Sequence, residues 1–142
     1  MTGLYVAAAA ILIAAIFGSY RRYNDGRTQR VTTQVGASLD PAELGAELGR
    51  QATFVQFSSP VCAPCRSTHR LLADVVAGDS DLGHIDLNAA DRLDLVERLH
   101  IARTPTVLIL DGRGQIRHRI VGAARKTEVL DALEQLAIQP AA

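Results

Sequence analysis

The chain has 142 residues, 48% hydrophobic and 21% charged, which suits one domain with its own core and a short appendage. Fifteen basic residues balance fifteen acidic ones, so the strongly basic signature of a nucleic-acid binder is absent. Two cysteines allow at most one intrachain disulfide, which excludes a small secreted fold stapled by several.

From Met1 to Tyr20, MTGLYVAAAAILIAAIFGSY, no side chain is charged. As a helix this length spans roughly 30 Å, about the depth of a bilayer core. The run predicts one N-terminal transmembrane anchor over 1–20, although its strictly apolar part, Leu4–Phe17, is only 14 residues. Tyr20 and Tyr23 suit an interfacial position. A cleavable signal peptide and a buried core helix are the competing readings. Nothing basic precedes the run, and Ile16-Phe17-Gly18-Ser19 lacks a small-x-small cleavage site. Arg21, Arg22, Arg27 and Arg30 follow the run against a single Asp25. Positive flanks stay in the cytoplasm, so the domain is expected on the cytoplasmic side of a single-pass segment. Residues 21–30 are polar, contain Asn-Asp-Gly and read as a linker.

Residues 31–142 alternate strands and helices. Val31–Val35, VTTQV, is β-branched and reads as a strand. Asp40, Pro41 and Glu43 form a helix start with a capping box, and that helix is expected to run to about Gly49. Thr53–Phe57 is a strand with Gln56 as its polar exception. A helix then begins at the cysteines, with Leu71, Leu72, Val75 and Val76 as its apolar stripe. Leu82–Leu87 is a strand and Asp91–His100 a helix. Thr106–Leu110, TVLIL, is uninterrupted and apolar, as a strand buried on both faces requires. Asp111-Gly112-Arg113-Gly114 turns the chain into a returning strand, Gln115–Val121, and Lys126–Ala137 closes with a helix. The order βαβαβαββα calls for an α/β fold: a parallel sheet covered on both faces, with antiparallel pairing added by the last hairpin. Arg117, His118 and Arg119 read as a solvated edge.

Both cysteines fall in Cys62-Ala63-Pro64-Cys65, where a strand gives way to a helix. Unpaired N–H groups and the positive end of the dipole at a helix start favour thiolate over thiol. Cys62, the outer residue, is thus the expected nucleophile. Cys65, one turn further in, is placed to attack a mixed disulfide formed by Cys62. Pro64 fixes φ in the first turn at no cost in hydrogen bonds. Arg66 and Arg70 add positive charge nearby. Cys62, Cys65 and His69 also have the spacing of three zinc ligands, but no second cysteine pair supplies a fourth. A structural disulfide closing so small a loop would stabilise little. A tethered binding module without catalysis is the third alternative.

Over about Val31–Ala137 the chain resembles the thioredoxin family. The resemblance rests on Cys62-Ala63-Pro64-Cys65, on Thr104-Pro105 before TVLIL, 40 residues after the second cysteine, and on Gly122 at the end of the last strand. It implies a thioredoxin-like fold with a central mixed sheet flanked by helices. It also implies that Pro105 is cis and lies against the disulfide, and that Thr104 pairs its backbone with a bound substrate peptide. Three departures stand out. Val61 replaces the family's usual tryptophan, Gln56 replaces its buried acid, and the usual lysine near that acid aligns with His84. Ala63, in place of the commonest glycine, implies an altered redox poise. The activity implied is thiol–disulfide exchange through Cys62 and Cys65, most simply reduction of protein disulfides. Electrons would come from a thioredoxin-reductase-like partner, with no metal and no bound cofactor beyond the redox-active cysteine pair. The alternative is an extracytoplasmic thiol–disulfide interchange protein, which the Arg21-Arg22 flank opposes.

Overall fold

A computed structural model describes residues 2–24, 28–29 and 37–138, with the side chains of 5, 10–20 and 37–138. The elements are α1 (Thr2–Asn24), β1 (Thr28–Gln29), α2 (Pro41–Leu44), β2 (Ala52–Ser58), α3 (Ala63–Ala77), β3 (Leu82–Asn88), α4 (Leu93–Arg98), β4 (Thr106–Asp111), β5 (Ile116–Val121) and α5 (Lys126–Ile138). After α1 the order is βαβαβαββα, and its first strand, Thr28–Gln29, lies within the stretch read as a linker. The strand expected at Val31–Val35 lies outside the described residues.

The five strands form one mixed sheet in the order β1-β5-β4-β2-β3. Among the described residues only β2 and β3 pair in parallel; β2–β4, β4–β5 and β1–β5 are antiparallel. The expectation of a parallel sheet with one antiparallel hairpin is thereby corrected. Strand β3 finishes beside the end of β2, Ser58 against Asn88, and β4 starts beside that same end, Phe57 against Thr106. Residues 89–105 therefore arch back to the end they left. An apolar run does not encode strand direction, which is why TVLIL alone could not show this.

The continuous apolar runs follow from burial on both faces. Val55, Phe57, Leu108 and Leu110 pack with Leu44, Leu95 and Leu99 on the α2 and α4 side. Phe54, Val107 and Ile109 pack with Leu72, Val129 and Leu136 on the α3 and α5 side. By the two-residue period of a strand, Gln56 and Ser58 share the α3 side with Phe54, and His84 and Asp86 share it with Leu82.

Helix α2 begins as expected. Glu43 N donates to Asp40 Oδ1 at 2.9 Å, and Glu43 Oε2 accepts from Asp40 N at 3.3 Å. It ends after four residues, short of Gly49, because Gly45 takes a left-handed conformation (φ 69°) and its N–H donates to Pro41 O. Strand β5 is not a solvated edge either. His118 is buried, and Arg119 donates to the carbonyls of Leu99 (2.5 Å) and His100 (3.3 Å). The alternation that makes Arg-His-Arg look polar turns its middle residue inward.

Helix α1 runs from Thr2 to Asn24, through most of the stretch expected as an anchor and into the one read as a linker. Its large apolar side chains Ile11, Leu12, Ile13, Ile16 and Phe17 are all exposed. Among the described residues, no helix is long and apolar enough to cross a membrane.

Gly122 follows β5 at φ 93°, and its N–H donates to Pro105 O at 2.8 Å. A side chain there would be strained in that conformation. Gly122→Ala is expected to lower stability by about 1–3 kcal/mol, read as a drop in the urea midpoint of the oxidised protein at an unchanged slope.

Candidate functional site

The end of β2, the start of α3, the end of β3 and the start of β4 meet at one end of the sheet. Cys62 is the N-cap residue of α3 and takes an extended conformation. Its Sγ accepts a hydrogen bond from Cys65 N at 3.1 Å, so the sulfur itself caps the helix. Negative charge developing on that sulfur would face an N–H donor and the positive end of a helix of 15 residues. Cys62 and Cys65 are joined in a disulfide, with Cα atoms 5.2 Å apart. Cys62 is half-buried and Cys65 is 3% exposed. Cys62 is thus the outer residue of the pair and Cys65 the inner one. Ala63 and Pro64 are exposed in the first turn between them.

Thr104 and Pro105 arrive at the same end on the strand start of β4. The Thr104–Pro105 bond is cis, Pro105 is buried and Thr104 half-buried. Thr104 Oγ1 donates to Ser59 Oγ at 3.5 Å, and Ser59 O accepts from Cys62 N at 3.2 Å. Two steps thus link the proline loop to Cys62. Val61, beside Cys62, is 93% exposed.

Gln56 is completely buried beneath this surface. Its Nε2 donates to Cys65 O at 3.0 Å and to Ser58 Oγ at 2.8 Å, while its Oε1 is buried without a partner. The Cys65 carbonyl needs a donor, which fixes the orientation of the amide. The β2–β3 register pairs Gln56 with Asp86 and pairs Phe54 with His84. The residue beside Gln56 is therefore an acid, not the histidine that alignment suggested. Ser58 Oγ donates to Asp86 Oδ1 at 2.5 Å, and Asp86 Oδ2 accepts from His69 Nδ1 at 3.0 Å. The His69 ring lies 4.9 Å from that of His84, tilted by 53°.

These groups border a cleft of about 380 Å³ lined by Ser58, Ser59, Cys65, Arg66, His69, Arg70 and Asp86. Both arginines are exposed at its rim. In this structure His69 faces Asp86, and the two sulfurs are bonded to each other. Asp86 and Ser58 were missed in the sequence. The available signal was an acid two residues from His84 within a strand, hence on the same helix-covered face.

The chain matches the family model of the thioredoxin-like domain over residues 42–137. No curated protein matches it. Among solved structures it is similar to thioredoxin NaTrxh from Nicotiana alata, at 22% identity and TM-score 0.54, covering 61% of this chain and 73% of that one. It is similar to mitochondrial thioredoxin 3 from Saccharomyces cerevisiae in its oxidised form, at 17% identity and TM-score 0.53, covering 61% and 79%. Fasciola hepatica thioredoxin is similar at 16% identity and TM-score 0.54, covering 67% and 86%. At these identities the likeness is one of fold.

Burial beneath α3 pushes the His84 imidazole below its ordinary value of 6.5, with the His69 ring adding to the effect and Asp86 opposing it. A depressed folded-state pKa means the unfolded chain takes up this proton first as pH falls. The contribution of neutral His84 is therefore in place above about pH 6.5 and is lost as pH drops through the lower folded value. The urea midpoint should fall between pH 7.5 and pH 5, and His84→Gln, neutral throughout, should show a smaller fall. Equal falls in the two proteins would remove His84 as a source of acid sensitivity.

Proposed function

Because the chain belongs to the thioredoxin-like domain family, we propose that it is a thiol–disulfide oxidoreductase that reduces protein disulfides. The observation that carries this reading is the position of the Cys62 sulfur, which caps α3 and is bonded to a buried Cys65. In the reduced protein the Cys62 thiolate attacks a substrate disulfide and forms a mixed disulfide. Cys65 then attacks Cys62, the substrate leaves as a dithiol, and the enzyme is left oxidised. Thr104 offers a backbone edge for an extended substrate segment, and exposed Val61 offers an apolar contact beside the nucleophile. A thioredoxin-reductase-like partner restores the dithiol, and no metal or bound cofactor takes part.

The same reading makes α1 a membrane anchor. Its support is a helix with apolar side chains left exposed, followed by Arg21 and Arg22. Those arginines favour a cytoplasmic domain, where the thiol pool favours the reducing direction.

Cys62→Ser is expected to abolish reduction of insulin disulfides, and Cys65→Ser to accumulate covalent mixed disulfides that separate on adding reductant. Full turnover by Cys62→Ser would overturn the mechanism. Topology has its own test. A membrane-impermeant thiol reagent should label Cys62 only after intact cells are permeabilised, without added reductant. Labelling of intact cells would move the domain across the membrane.

A further inference from the structure

Resolution of the mixed disulfide requires Cys65 to lose its proton, and Cys65 is buried. Burial in apolar surroundings disfavours a thiolate. The side chain bonded to its carbonyl, Gln56, is an amide and cannot take that proton. The ionisable groups sharing the cleft with Cys65 are Arg66, Arg70, His69 and Asp86. Arginine has no acceptor. Asp86 already accepts at both oxygens, from Ser58 and from His69. The carboxylate accepts only, so the His69 proton sits on Nδ1 and leaves Nε2 as the basic nitrogen. His69 lies four residues after Cys65, on the same face of α3.

We propose that His69, oriented by Asp86, accepts the Cys65 proton during resolution of the mixed disulfide. This rests on the oxidoreductase reading and adds the base that Gln56 cannot provide. The Cys65 S–H proton passes to His69 Nε2, directly or through one water. The Cys65 thiolate attacks Cys62 Sγ, the Cys62–Cys65 bond forms, and the Cys62–substrate bond breaks. The substrate departs as a thiolate and regains a proton from the imidazolium. Two electrons pass from the cysteine pair to the substrate disulfide, and no other oxidant or reductant is needed. His69 is the catalytic group here; Asp86 is a positioning residue, itself held by Ser58.

The charges facing His69 are Asp86 and half-buried His84 on β3, and Arg66 and Arg70 on α3; β2 contributes only neutral Gln56 and Ser58. Neutral His69 is the active form. Resolution should therefore speed up with rising pH.

The test follows the two cysteines separately. The reduced full-length chain is mixed with one equivalent of 5,5′-dithiobis(2-nitrobenzoate). Attack by Cys62 releases one thionitrobenzoate, and resolution by Cys65 releases the second. His69→Gln should slow the second release relative to the first by about 100-fold near pH 7, and Asp86→Asn should slow it in the same direction. The His69→Gln profile should also lose that rise. Both side chains are partly open to solvent, 50% and 32%, and the first release reports an intact Cys62 site in each variant. A second release with the wild-type relative rate and pH profile in both variants would overturn the proposal. A wild-type protein that gives only the first release would instead overturn the oxidoreductase reading beneath it.

Discussion

The site depends on the chain returning, through residues 89–105, to the end of the sheet it left. That single topological constraint sets β4 antiparallel to β2 and delivers Thr104 and Pro105 to the end where α3 begins. A crossover to the opposite end would have made the strands parallel and carried the proline away from the cysteines. The helix start then contributes what a strand end cannot, unpaired N–H groups aimed at one point. Cys62 occupies that point, so one sulfur satisfies a backbone donor and gains a field that favours its thiolate.

Beneath that surface the fold accepts a row of polar groups inside an otherwise apolar layer. Gln56, Ser58, Asp86 and His69 run from the buried carbonyl of Cys65 outward to the cleft, each joined to the next. Removing the partners of the buried Gln56 amide would leave its N–H groups unsatisfied out of reach of water, at a cost of about 1–3 kcal/mol. The row is graded, from wholly buried Gln56 to half-exposed His69. Charge is thus kept at the wet end and a neutral amide at the dry end, as desolvation demands.

Much of this was legible in the sequence because local chemistry specified it. The Asp40 capping box, the β2–α3 junction at Cys62 and the apolar TVLIL each have a local cause, and each occupies its expected place. What escaped the sequence depended on long-range placement. Gly45 and Gly49 are equally good helix stops on paper, and only the left-handed turn at Gly45 decides between them. The partner of Gln56 depends on the β2–β3 register, which slides with the length of the loop after α3; two residues exchange His84 for Asp86 on the same face. Burial of His118 required knowing that β5 has its inward face against the core, whereas its flanking arginines suggested water.

The two-residue strand β1 carries a consequence for reach. Thr28 pairs with Ile120, two residues before the Gly122 that bonds the Pro105 carbonyl. The chain therefore joins the sheet near its cysteine end, not at the far end. Four Cα steps separate Asn24 from Thr28, on the order of 14 Å at full stretch. On the proposed reading of α1 as an anchor, the disulfide would be kept on a short leash beside the surface that holds it. On that reading, partners would be selected by how near their own cysteines come to that surface, as well as by their fit around Cys62.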